Sequence, residues 1–385
     1  MGSAERNRTI DFWRGFVLVT IFVNHIPGNI LERFTHRNFG FSDGAEAFVF
    51  IAGLAVALVY YPKVPGGDFR GAVWRCLKRA LHLYRVHLIL TFSAVAVFAI
   101  ATVLSGITDL TEHGGRGSVF HDTARGVTGI LLLGHQLGYF DILPLYVMLL
   151  LWAPVAFALV RLHPLLAVAA SLSLYVAARL AGLNMPSWPE PGSWYFNPFA
   201  WQLLFTIGIL TGIAWGQGTA PHSRPLFIGS ALIVGFSAVI ATDAAWLWPG
   251  LWESIRHSLD VDKSNLGLVR LIHFLALAYL LSQLPLGAAL ARTRAGGELQ
   301  RLGRQALPVF AVGSFLTAVG EVIMTLSEVR YSTSPALVGM VFTLLGAISL
   351  FLLARYLEWA KTNSGRKPSV LLSSRPASSS LLPRS

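Results

Sequence analysis

Three ionisable residues, Asp11, Arg14 and His25, lie along one apolar stretch near the amino terminus. Arg14 and His25 are close to three helical turns apart, about 16 Å of rise, and Asp11 stands one turn before Arg14. A helix here therefore carries a carboxylate, a guanidinium and an imidazole on one stripe, which must face protein or a water-filled cavity rather than lipid. The bland alternative pairs Asp11 with Arg14 at an interface and leaves His25 to hydrogen-bond a neighbouring helix. A second cluster, Gly40-Phe41-Ser42-Asp43-Gly44-Ala45-Glu46-Ala47-Phe48, follows where the chain turns back. Asp43 and Glu46 are three apart, so both can reach the half of the first helix that holds His25. A carboxylate beside an imidazole fixes its tautomer and makes it a better general base. Glu46, one turn inside the next helix, is the expected partner of His25, and Asp43 the expected cap; the two also read as a capping box.

The elements that must position these groups are apolar helices. Hydrophobic residues make up 54% of the 385, with a mean hydropathy of +0.59 and only 13% charged, which excludes a soluble globular chain. The expected fold class is all-α, a polytopic integral membrane protein of about ten transmembrane helices at ~20 residues per span. The expected spans are Ile10 to Ile30, Ala45 to Tyr61, Val86 to Leu104, Phe140 to Arg161, Leu165 to Gly182, Phe199 to Gly216, Leu226 to Thr242, Leu266 to Leu286, Ala306 to Leu326, and Pro335 to Tyr356. Gly126 to Leu137 is too short to span and is expected to insert in part or to re-enter. The first run is interrupted by Asp11 and Arg14 and lacks a small-residue cleavage site, so it reads as a mature helix rather than a signal peptide.

Lys and Arg outnumber Asp and Glu by 30 to 19, a net charge of +11. The excess sits in short loops that share one side if both termini are cytoplasmic, which fits anionic lipid and excludes a nucleic-acid partner. Arg70 to His82 reads as an amphipathic interfacial helix ahead of the third span. Residues 8–360 read as one transmembrane domain and 361–385 as a disordered cytoplasmic tail. The single cysteine, Cys76, excludes an intrachain disulfide. The eleven histidines show no metal-binding spacing, so no metal site is expected.

The run from Asp11 to His25, followed by GFSDGAEAFVFIAG at 40–53, resembles the membrane acyltransferase superfamily called acyltransferase-3, and within it the OpgC family of osmoregulated periplasmic glucan succinyltransferases. Further stretches carry the likeness: Asp141-Ile142-Leu143-Pro144-Leu145-Tyr146, Phe196-Asn197-Pro198 with Trp201-Gln202, and Asp262-Lys263-Ser264-Asn265-Leu266-Gly267 followed by Arg270 and His273. The resemblance runs from residue 8 or so to residue 357 or so. Ala52-Gly53 departs from the Ser-Gly of many members, a change between small residues that keeps close helix packing.

The resemblance implies an acyl-CoA co-substrate, succinyl-CoA, with no permanently bound cofactor, and a bacterial inner-membrane location. Arg14, with Asp11 and the basic residues Arg75, Lys78, Arg79 and Arg85, is then the expected donor site, because the phosphates of coenzyme A need cations. For most of these cations taken singly, topology signalling explains them as well. His25 would deprotonate a sugar hydroxyl or accept the acyl group itself; the residues leave both open. Trp194 and Trp201, with Asn197, Gln202 and Lys263, are the expected acceptor site, and Trp188, Tyr195, Trp246, Trp248 and Trp252 are further rings at the same ends; an interfacial aromatic belt is the competing reading. An acetyl donor, another polysaccharide or lipid-linked sugar as acceptor, and a proton-coupled transporter built on Arg14, His25 and Glu46 are the alternatives. Homo-oligomerisation is compatible with the sequence.

Overall fold

The computed structural model describes residues 3–62, 67–216, 222–242, 258–331 and 334–364, and among them it is helical with no strand. In chain order the helices are α1 (Ser3–His25), α2 (Gly44–Tyr60), α3 (Phe69–Ser105), α4 (Asp109–Glu112), α5 (Gly117–His121), α6 (Thr123–Leu131), α7 (Ile142–Leu162), α8 (Pro164–Leu180), α9 (Pro198–Gly216), α10 (Arg224–Ala241), α11 (Leu268–Gln283), α12 (Leu286–Ala291), α13 (Arg294–Arg304), α14 (Ala306–Tyr331) and α15 (Pro335–Ser364). Each of the ten apolar segments read from the sequence coincides with one of them. Six are long and apolar enough to cross a bilayer by length and composition: α3, α7, α9, α10, Ala306–Val329 of α14 and Ala336–Asn363 of α15. Helices α2, α8 and α11 are apolar but shorter.

Local chemistry sets the helix ends. Asp43 caps α2, accepting from Ala45 N at 2.8 Å, and Glu46 returns to Asp43 N at 2.8 Å, so the capping box forms in full. Helix α3 is capped by Asp68 on Gly71 N at 2.7 Å and stops at Gly106, whose φ of 73° suits a residue without Cβ. His163 and Ser223 cap α8 and α10, each followed by a proline in the first turn.

Two expectations change here. The basic segment Arg70 to His82 is not a separate interfacial helix: it continues unbroken into the span as α3, 37 residues long. No Gly or Pro from Ala72 to Ser105 interrupts it, so nothing uncouples the charged face from the apolar one. Helix α15 runs to Ser364, so Lys361 is helical and not part of a tail; residues 365–385 lie outside the described residues. The segment Gly126 to Leu137 becomes the end of α6 and a loop, with Leu133 at φ 61°.

Backbones approach closely where glycines face each other. A Cβ on Gly53 of α2 would strike the carbonyl oxygen of Phe205 in α9, and one on Gly208 of α9 that of Phe50 in α2. Gly15 of α1 and Gly303 of α13 do the same against Leu299 and Asp11. Such small-residue crossings gain van der Waals contact that lipid cannot supply. Around them Trp201, Phe157 and Phe205 are fully buried, while Val103, Leu180 and Leu232 stand exposed on the outside, as lipid-facing side chains do. Gly53→Ala is expected to destabilise the protein by about 1–3 kcal/mol by forcing α2 from α9. Gly229→Ala, in open space on α10, is expected to be neutral or to stabilise by about 0.5–1 kcal/mol; melting temperatures in detergent compare the two.

Candidate functional site

The stripe on α1 faces two cavities stacked along one axis. The first, about 580 Å³, is lined by Arg14 and Val17 of α1 and by Arg79, Arg304 and Lys361 among the cations. The second, about 940 Å³, takes Ile21, Asn24 and His25 from the later turns of the same helix. Helices α2, α7 and α14 divide in the same way: Phe48, Tyr146 and Ala306 line the first cavity, and Ala45, Ile142 and Thr317 the second. Phe310 borders both. Phe48 lies 5.8 Å from Phe310 and 5.9 Å from Tyr146 between ring centroids, so the three rings cluster where the linings of the two cavities meet at Phe310.

In the basic cavity Arg14 is held from two sides. Its Nη1 donates to Asp11 Oδ1 at 3.1 Å and to the Gly303 carbonyl at 3.2 Å, so the close glycine crossing of α1 and α13 fixes the guanidinium. Arg304 donates to Glu358 at 2.6 Å and Lys361 to Gln305 at 2.9 Å, which ties α15 to the same rim. On the outer face of α13, Arg355 hydrogen-bonds Glu298 at 3.0 Å and holds its carboxyl below the ordinary value. Of the expected donor residues, Arg14 and Arg79 line the cavity and Asp11 supports Arg14. Arg75, Lys78 and Arg85 do not line it: Arg75 lies 4.0 Å from Asp68, and Lys78 sits over the Trp74 ring at 5.2 Å. Arg304 and Lys361 take their place.

In the second cavity His25 packs against Tyr139, 4.5 Å between ring centroids with the planes tilted by 47°. Arg37, Asp43 and Lys263 line the same cavity as His25. The expected pairing of Glu46 with His25 does not occur. Glu46 is fully buried, its Oε1 2.7 Å from Arg270 Nε and 2.6 Å from Nη2, and its Oε2 is occupied by the Asp43 N–H. Asp43 adds to its capping role by accepting from Lys263 at 2.6 Å and Arg270 at 3.2 Å. Two carboxylates and two cations thus close a neutral cluster beside His25. Asp43 lines the cavity with His25, and Glu46 does not.

The expected acceptor platform is likewise internal. Trp201 is fully buried and donates to the carbonyls of Lys263 and Ser264 at 3.2 Å. Asn197, also fully buried, donates to Leu183 O at 2.7 Å and Asn265 Oδ1 at 2.9 Å, and Gln202 bonds Ser171. Trp201 and Asn197 hold the loop that delivers Lys263 to Asp43. Trp194 is buried and does not line the cavity, whereas Lys263 and Tyr195 do. Trp246, Trp248 and Trp252 lie outside the described residues.

A family model described as OpgC protein matches residues 6–362, nearly the whole chain. The chain belongs to the OpgC family. Membership in the OpgC family, with the apolar helices, makes it a multi-pass membrane protein and implies a transferase acting on glucans. No curated protein and no solved structure matches it.

In this OpgC family member the residues that sequence reasoning missed are those whose role depends on a distant partner. Arg270 stood in a quoted motif without a role. Arg304 belongs to the general basic excess of the loops, Lys361 falls in the expected tail, and Tyr139 lies in no motif. Glu46→Ala is expected to cost about 3–5 kcal/mol, because it leaves the buried Arg270 half unpaired. Asp43→Asn, which keeps a capping side chain, should cost markedly less. Equal, small melting-temperature losses for the two would contradict the buried pair.

Proposed function

We propose that this OpgC family member is an inner-membrane O-acyltransferase of the acyltransferase-3 type, with ten spans and both termini in the cytoplasm, which moves a succinyl group from cytoplasmic succinyl-CoA to hydroxyls of osmoregulated periplasmic glucans. The observation that carries this reading is the pair of coaxial cavities on α1, one lined with cations around Arg14 and the other holding His25. Coenzyme A concentrates its phosphates at one end and its thioester at the other. The rise of about 16 Å from Arg14 to His25 is a fair match to the arm between them.

The donor's phosphates bind Arg14, Arg79, Arg304 and Lys361, and its thioester passes the three rings toward His25. The His25 imidazole takes the proton from a sugar hydroxyl, the oxygen attacks the thioester carbonyl, and the carbon–sulfur bond breaks. The coenzyme A thiolate leaves and recovers a proton, and an ester remains on the sugar. An alternative order places the acyl group on His25 first and on the hydroxyl second. The choice of succinyl over acetyl rests on the resemblance to the glucan succinyltransferases. The ring contact with Tyr139 restricts the orientation of the imidazole.

His25→Ala is expected to lower transfer by about 10²–10⁴-fold while coenzyme A binding persists. Arg14→Ala is expected to raise the donor KM by about tenfold or more, an effect that shrinks with succinyl-pantetheine, which lacks the nucleotide phosphates. Radiolabelled succinyl-CoA and acetyl-CoA, offered to the purified protein with a glucan, check both variants and the donor. Substantial turnover by folded His25→Ala, or preference for acetyl-CoA, refutes the corresponding part of the reading.

A further inference from the structure

The wall of the larger cavity away from the Asp43 cluster holds polar groups that the transfer chemistry does not use. Arg116, from the loop between α4 and α5, and His135, from the loop before α7, are each only 3% exposed, and both line the cavity. Arg116 donates from Nη2 to Glu321 of α14 at 2.9 Å and lies over the Phe98 ring at 3.9 Å, yet its Nε has no partner. His135 has no partner at Nε2, and this atom and Arg116 Nε lie just beneath the cavity surface, so small side-chain rotations present them to a ligand. The Glu321 side chain stays 30% exposed beside them. Buried polar atoms are nearly always satisfied, and leaving them unsatisfied is costly. In the Asp43, Glu46, Lys263 and Arg270 cluster each side chain is paired, whereas Arg116 Nε and His135 Nε2 are not.

The character of the group points to its ligand. Arg116 and Glu321 neutralise each other, so this wall lacks the surplus positive charge that phosphates or a free carboxylate would call for. It offers donors and acceptors side by side, the pattern that matches vicinal hydroxyls. Tyr139 and Tyr195, each about half exposed in the same cavity, supply flat apolar faces of the kind a pyranose ring covers.

We propose that Arg116, Glu321 and His135 form the acceptor subsite, which grips the vicinal hydroxyls of one neutral sugar unit so that a hydroxyl further along the glucan reaches His25. This assignment rests on the acyl-transfer reading and moves acceptor binding from Trp194, Asn197, Trp201 and Gln202, which do not line the cavity, to residues that do.

The test is equilibrium binding without turnover. Detergent-purified wild type, Glu321→Gln, Arg116→Gln and His135→Gln are titrated by calorimetry with a neutral linear gluco-oligosaccharide and, separately, with coenzyme A. The subsite predicts oligosaccharide binding by the wild type that weakens about tenfold or more in Glu321→Gln, with coenzyme A affinity unchanged. Should Arg116→Gln melt early, Glu321→Gln and His135→Gln carry the decision, because each keeps the size and a polar tip. Wild-type oligosaccharide affinity in folded Glu321→Gln and His135→Gln overturns the subsite, as does absence of oligosaccharide binding to the wild type. Failure of the wild type to bind coenzyme A counts instead against the acyl-donor reading, whatever the sugar does.

Discussion

A charge inside an apolar bundle has to be neutralised or wetted, and this one demand organises the interior. Glu46 is the extreme case: its carboxylate has no water, so Arg270 must meet it, and Arg270 in turn needs Asp43 to share its remaining hydrogen-bonding capacity. Lys263 completes the balance, and the loop that carries it is fastened by Trp201 and Asn197. The fold around His25 is thus set by a neutral quartet that borders the chamber. The imidazole remains free of a strong hydrogen-bonded carboxylate and open to the cavity.

The same demand is met differently at the other end of α1. Arg14 is only partly compensated, by one carboxylate and one carbonyl, and it lines a cavity with further cations nearby. Partial compensation leaves a surplus of positive potential, which an anionic ligand can use. Glycine crossings make this possible. Gly15 and Gly303 let α1 and α13 approach until the Gly303 carbonyl reaches the guanidinium, so backbone packing and the placement of a functional cation are one event.

Much of the architecture was readable because its signals are local. Apolar runs of about 20 residues mark spans, and the Asp11, Arg14 and His25 spacing marks a helix face, with no knowledge of the rest of the chain needed. The capping box at Asp43 and Glu46 was legible for the same reason. What stayed hidden depends on contacts between distant residues. Arg270 is 224 positions from Glu46, and no local pattern says that this arginine, rather than His25, takes the buried carboxylate. Trp201 looked like a ring at an interface because a belt residue and a core residue share the same sequence context; only the fold shows its indole fixing the Lys263 loop. Arg70 to His82 looked separate from the third span because composition changes there, although the helical period does not.

The partition of Phe48, Tyr146 and Phe310 has an electrical consequence. With the helices oriented as proposed, the two cavities would lie on either side of one layer of rings. A membrane potential falls mainly where the medium is least polarisable, so the voltage that elsewhere drops over about 30 Å of hydrocarbon is compressed onto these rings. An ion or charged group that passes them gains or loses about 2.3 kcal/mol per elementary charge per 100 mV in that single short step. On the proposed reading, an anionic acyl group crossing these rings from the cytoplasmic side would move in the direction that an interior-negative potential favours.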